Sequence, residues 1–229
     1  MTAIKSDRTP PVTGQLAFDL PAHPAFRRED FFASPANAPA LAAVEDLTTR
    51  RLLLIGPHGS GKTHLAHVWA RLTGAAILTT ADLAQHLPDL APDAAVALDN
   101  ADAPTLDQAA LFHLYNRLAP AGRLLLTAAT PPRDWGLTLP DLISRLQAIP
   151  QARLAPPDDA LLSAVLVKLF ADRQITVPPN LIPYLVSRME RSIAAARSLV
   201  AALDAMALAA ARPVTRTLAA ELLDIPQPQ

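Results

Sequence analysis

Apolar residues fall along the chain in two alternating rhythms. Arg51-Leu52-Leu53-Leu54-Ile55, Ala76-Ile77-Leu78-Thr79, Ala94 to Leu98 and the run opening with Leu124-Leu125-Leu126 are short and nearly unbroken, which suits strands buried on both faces. Between them lie helix-spaced stretches. These are Asn37 to Leu47, Lys62 to Leu72 closed by Gly74, Ala81 to Leu87, and Thr105 to Leu118 with its stripe of Leu106, Ala110, Leu111, Leu114 and Leu118. Strand alternates with helix, and that order predicts an α/β fold in which a parallel sheet is flanked by helices. Beyond Pro156-Pro157 only the helical rhythm remains, over Asp158 to Arg173 with Asp158 as N-cap, Asn180 to Arg188, Ile193 to Ala211 and Thr217 to Leu223. Three parts are expected: a lead-in at 1–25, broken by Pro10, Pro11, Gly14, Pro21 and Pro24 and read as flexible; an α/β core at 26–155; and an all-helical subdomain at 156–229.

Composition narrows the chemistry. Among 229 residues, 20 Lys and Arg face 21 Asp and Glu, a net charge of −1. No global basic field draws nucleic acid, so sequence-specific DNA binding is not expected. The absence of cysteine excludes disulfides, thiolate zinc sites and thiol catalysis. The start, Met1 to Pro11, lacks the apolar core of a signal peptide, and no stretch reaches the roughly 18 apolar residues of a membrane span. A soluble, cytoplasmic protein with no membrane partner is expected. Proline is plentiful at 23 residues and glycine scarce at seven, yet Gly56, Gly59 and Gly61 fall within six positions.

That cluster belongs to Gly56-Pro57-His58-Gly59-Ser60-Gly61-Lys62-Thr63, which fits the P-loop pattern G-x-x-x-x-G-K-[ST] between a predicted strand and a predicted helix. In such a turn, glycines let backbone N–H groups converge on phosphate oxygens at a helix N-terminus. Pro57, His58, Gly59, Ser60, Gly61, Lys62, Thr63 and His64 are therefore candidate nucleotide contacts, for ADP or ATP. Lys62 would neutralise the β- and γ-phosphates, and the Thr63 hydroxyl would ligate Mg²⁺. The second metal carboxylate is expected at the end of a later apolar strand, where Asp99 stands. The next residue is Asn100, whose amide cannot take a proton from an attacking water, so tight binding with slow intrinsic turnover is expected unless Asp102 compensates. Thr127 and Thr130 are the polar candidates after the fourth strand. His64 and His67 are spaced i, i+3 but lack a third ligand of suitable spacing, so zinc is not expected.

Gly-Lys-Thr-His-Leu at 61–65, Asp99-Asn100, Leu114-Tyr115-Asn116-Arg117-Leu118 and Leu139-Pro140-Asp141-Leu142-Ile143-Ser144-Arg145-Leu146 together resemble the AAA+ core of DnaA-related proteins, nearest to the Hda family of regulators. The resemblance runs from about Gln15 to Leu223. It implies an AAA+ P-loop core with a helical lid, and a negative regulator of replication initiation that promotes ATP hydrolysis by DnaA. Arg145 matches that family's arginine finger, which acts in trans on a neighbouring subunit's nucleotide; the bland alternative is an ion pair with Asp141 one turn away. Gln15-Leu16-Ala17-Phe18-Asp19-Leu20 resembles the family's sliding-clamp peptide, in which the Gln15 amide meets a pocket rim while Leu16, Phe18 and Leu20 bury apolar surface. Phe31 and Asn37 lie where the family lines the base. Its sensor-II arginine is replaced by Ala194, with Arg197 one turn later. The chain ends at Gln229, soon after the last predicted helix, so no DNA-reading domain is expected. Two other readings stay open: a self-contained AAA+ ATPase such as a helicase loader or remodeller, and an adaptor stabilised by its nucleotide. Self-association through the Arg145 edge is possible in each.

Overall fold

A computed structural model describes residues 26–118 and 121–223. Five strands, β1 (Arg51–Ile55), β2 (Ala76–Thr79), β3 (Ala95–Asp99), β4 (Arg123–Ala128) and β5 (Gln151–Arg153), form one sheet in the order β2-β3-β4-β1-β5. Every neighbouring pair is parallel. The helices joining them are α1 (Ala38–Glu45), α2 (Lys62–Thr73), α3 (Leu83–His86), α4 (Gln108–Arg117) and α5 (Pro140–Gln147). The helical part follows as α6 (Asp159–Asp172), α7 (Leu181–Val186), α8 (Ile193–Ala209) and α9 (Arg216–Leu223).

Side-chain alternation along each strand explains why these runs are apolar throughout. Leu52 and Leu54 of β1 face α1 and α2 and pack with Leu41, Val44, Leu65 and Trp69. Leu53 and Ile55 point to the opposite face, where Leu111 and Leu114 of α4 and Leu142 and Leu146 of α5 cover Leu98, Leu124 and Leu126. A separate core of Leu162, Leu166, Phe170, Leu185, Val200 and Leu203 holds the helical part together.

The expected α/β architecture with a helical C-terminal part is what the chain adopts. Details differ where local chemistry overrides the apolar stripe. α4 begins at Gln108 rather than Thr105 because Asp107 caps it, Oδ1 accepting from Ala109 N at 2.9 Å and Ala110 N at 3.1 Å. The segment expected as a helix from Ala81 shrinks to α3, which passes into a 3-10 turn at Leu87–Asp89 containing Pro88. Asp158 caps α6 as expected, accepting from Leu161 N at 2.7 Å. β5 was not expected; it is three residues long with only Ala152 buried.

Leu53 is fully buried between β4 and β5. Leu53→Ala should lower unfolding stability by about 2–5 kcal/mol, read as a shift in the urea midpoint at unchanged slope.

Candidate functional site

The carboxyl ends of β1, β3 and β4 lie side by side, so the turn after β1 meets the residues that close the other two strands. In that turn Gly59 has φ +69° and Gly61 φ +102°, both in the left-handed region. A side chain at Gly59 would also place its Cβ 2.7 Å from that of Ser192. Gly61 is the N-cap of α2 and offers no side chain, so the first-turn N–H groups of this 12-residue helix lack a side-chain acceptor and its positive end faces the turn. Lys62 is buried, its Nζ donating to Gly56 O at 2.7 Å and Pro57 O at 2.9 Å. Burial pushes its pKa below the usual lysine value, while the Asp102 and Asp99 carboxylates act in the opposite sense. Ser60 Oγ is buried with no hydrogen-bond partner, an orphan acceptor and donor inside the turn. Pro57 and His58 are exposed on its outer side. Uncapped amides, an ammonium group and an orphan hydroxyl make this a donor-rich cradle suited to an anion.

Beside it, Thr63 Oγ1 donates to Asp99 Oδ2 at 2.9 Å, bringing together the two residues expected to share a divalent cation. The other Asp99 oxygen accepts from the hydroxyl of Thr127, which is fully buried and itself accepts from Asn100 N at 2.9 Å. Asn100 takes φ +54° and is exposed. Asp102, the possible compensating base, is engaged elsewhere: its Oδ2 accepts from Ala129 N at 2.7 Å, Thr130 N at 3.0 Å and Thr130 Oγ1 at 3.2 Å. Those three bonds pin the loop after β3 to the loop after β4.

The flanking candidates separate into two groups. Asn37 is buried, with Oδ1 accepting from Ser34 N at 2.8 Å and Nδ2 donating to Phe32 O at 2.9 Å, so its amide staples the loop before α1. Next to that loop a cleft of about 530 Å³ opens between Pro35, Ala36, Pro39, Pro57, Arg153 and Leu154. On the other flank, Phe31 is buried 3.3 Å from where a Gly61 Cβ would lie. His64 Nε2 bonds Arg27 O at 2.8 Å, and His67 stacks on Phe26 at 4.4 Å between centroids. Arg197 lies over the same Phe26 ring at 5.6 Å, so the guanidinium one turn into α8 meets the segment before α1. The contact between α8 and the turn is made by backbone, Ile193 N donating to Gly59 O at 2.8 Å. That contact was not foreseen; its one sequence signal is Ser192, which caps α8 by accepting from Ala195 N at 2.9 Å.

Arg145 sits on α5, half-buried. It does not pair with Asp141. Its guanidinium donates to Asn116 Oδ1 on α4 and lies over the rings of Phe112 at 5.0 Å and Tyr115 at 5.5 Å. The side chain is held across the α4–α5 edge, away from its own helix turn. The clamp-like peptide Gln15–Leu20 lies outside the described residues.

No family model matches the sequence. Domain III of the Thermotoga maritima replication initiation protein DnaA is similar with a TM-score of 0.74 over 90% of this chain and 98% of that one, at 19% identity. The chain has the fold of DnaA domain III. AMPPCP-bound DnaA from Aquifex aeolicus is similar in fold, with a TM-score of 0.64 at 16% identity over 79% of this chain and 65% of that one. A RuvB point mutant from Thermotoga maritima shares it at 0.63 and 20% identity, over 82% and 67% of the two chains. Among the described residues no helix is long and apolar enough to cross a membrane.

Two outcomes follow from this geometry. Thr127→Val keeps the shape but strands the Asn100 N–H and frees one Asp99 oxygen, and should cost about 1–3 kcal/mol in denaturant unfolding, whereas Thr127→Ser should retain most of the stability. His64 and His67 are both held below the ordinary histidine range, mainly by burial. The unfolded chain therefore binds more protons than the folded one on the acid side of about pH 6.5, and stability complete above that pH is lost as pH falls through the lowered folded values. His67→Gln should flatten the fall in Tm between about pH 7 and pH 5.5; an unchanged slope would refute this assignment.

Proposed function

We propose that the chain is a nucleotide-bound AAA+ regulator of replication initiation that works on another molecule's ATP. Residues 56–63 would hold the phosphates of ADP or ATP, with Lys62 on the outer phosphates and Thr63 and Asp99 as the protein ligands of Mg²⁺. The paired Thr63 and Asp99 oxygens and the uncapped start of α2 support that reading, as does the fold shared with AMPPCP-bound DnaA. The cleft at Pro35, Pro57 and Leu154 adjoins the turn and is large enough for a purine. A bound Mg²⁺ would neutralise phosphate charge. The chain's own part is to bind and orient the nucleotide without activating water, because Asn100 carries no base and Asp102 is tied to the loop after β4.

The observation that carries the regulatory reading is Arg145. It lies half-buried on the α4–α5 edge, held by one neutral acceptor and two aromatic faces rather than by a carboxylate. A guanidinium so held has no charged partner among the described residues and can be handed to developing phosphoryl charge on a DnaA subunit docked there. Gln15, Leu16, Phe18 and Leu20 would anchor the protein to the DNA polymerase sliding clamp, concentrating it where replication has begun. Such a protein would act in the cytoplasm. The alternative, a self-contained ATPase or remodeller, draws on the fold shared with RuvB, and Asn100 counts against it.

ATP hydrolysis by DnaA, with clamp loaded on DNA and this protein added, tests the reading. Arg145→Ala should lose stimulation by on the order of 10²-fold or more while retaining nucleotide, and removal of residues 1–22 should abolish clamp binding. Full stimulation by Arg145→Ala, or rapid ATP turnover by the chain alone, would sink the proposal.

A further inference from the structure

Residues 26–31 run between the core and the helical part, the lid over the turn after β1. On the core side Arg28 pairs with Glu45 of α1, the Arg27 carbonyl meets His64 of α2, and Phe31 packs beside Gly61. On the lid side Asp30 Oδ1 lies 3.1 Å from Lys168 Nζ of α6. Among the described residues every other ion pair joins groups within the core or within the lid, so this pair is the one charged tie between them. Its side chains are 30% and 21% exposed, less open to solvent than the other pairs, so screening by water and salt is weaker. Asp172, one turn along α6, lies 2.9 Å from the same ammonium and favours its charged form.

The lid touches the P-loop turn at a second point, where Ile193 N donates to Gly59 O and Ser192 closes against Gly59. That contact is one backbone hydrogen bond at a helix start, which by itself opens readily. Asp30 directly precedes Phe31, whose ring reaches Gly61 at the other end of the turn. A tie at Asp30 therefore anchors the lid to the segment that packs on the phosphate cradle.

We infer that Lys168 is a positioning residue whose ion pair with Asp30 holds the lid over the P-loop turn and sets how long a nucleoside diphosphate or triphosphate stays bound. The ligand class rests on the nucleotide reading proposed above; the closure does not. With the pair intact, α8 stays seated on Gly59 and the cradle is covered. With it broken, the lid is held by Ile193 and the Arg197–Phe26 contact, and the cradle opens more often.

Release of mant-ADP from the full chain, chased with excess ADP, reads the residence time. Lys168→Met and Asp30→Asn should each speed release about three- to tenfold, with no further gain in the double variant. Lys168→Arg should stay within about twofold of the parent. Unchanged release in both single variants, or effects that multiply in the double variant, would overturn the inference. If the parent chain fails to take up mant-ADP, the nucleotide reading fails, and the closure is decided by amide hydrogen exchange without nucleotide. Faster exchange at residues 59–63 and 192–196 in Lys168→Met sustains it, and identical exchange overturns it.

Discussion

A single buried hydroxyl sets the geometry on the Thr63–Asp99 side of the site. β4 lies between β1, which feeds the P-loop turn, and β3, which ends in Asp99. Thr127, near the end of β4, donates to the Asp99 carboxylate and accepts the Asn100 N–H. Asp99 is thereby turned so that its free oxygen meets Thr63 at the start of α2. The left-handed turn at Asn100 is stabilised in the same stroke, since its amide has a partner and asparagine tolerates that region better than most residues. Without a donor and acceptor at this point, three strand ends would still lie together, but the Asp99 carboxylate would keep only its Thr63 bond among the described residues, with its second oxygen unanchored.

Which parts could be read from the amino-acid order follows from how many residues carried each signal. β1, β3 and β4 were legible because both faces of the sheet are covered and their apolar runs are unbroken. β5 was not, because three residues with one buried alanine produce no rhythm, and its pairing with Leu53 to Ile55 is dictated by the sheet rather than by its own composition. The P-loop was legible because glycine spacing, a basic residue and a hydroxyl coincide in eight positions. Thr127 was visible only as a polar residue near a strand end; its role depends on β3 and β4 being neighbours, which strand propensity does not encode. Asn37 illustrates the converse case. It was expected to lie where the base is lined, and its side chain is committed to folding its own loop.

The lid shows how a missing side chain is replaced by backbone. At the start of α8 the position of an expected arginine is Ala194, and the helix instead meets the turn through Ile193 N–H, with Ser192 fixing the cap. Arg197 faces Phe26 and is partly buried, which lowers its pKa relative to a free guanidinium and makes it part of the packing between α2, α8 and the segment before α1. Contact with the phosphate turn therefore depends on lid orientation as a whole. A long flexible cation could reach its target from several lid positions; a backbone amide cannot.

Arg145 is held by forces of a magnitude suited to transfer. The guanidinium's hydrogen bond to the Asn116 amide is charge-assisted on the donor side only and contributes about 1.5–3 kcal/mol, and each cation–π contact at a half-exposed site adds about 0.5–1 kcal/mol. A phosphate would bring a full opposite charge to the acceptor side as well, and the guanidinium fork can make two such bonds in parallel. If Arg145 acts in trans as proposed, exchanging Asn116 for a phosphoryl group would gain an opposite charge and a second bond, whereas leaving a carboxylate such as Asp141 would break an ion pair of the same kind as the one to be formed. The aromatic faces of Phe112 and Tyr115 also restrict the rotamers of a side chain that would otherwise lose roughly 2 kcal/mol of conformational freedom on docking. Storage on α4 keeps the side chain ordered and weakly committed at once, the condition a residue must meet if it is to complete a reaction centre in another subunit.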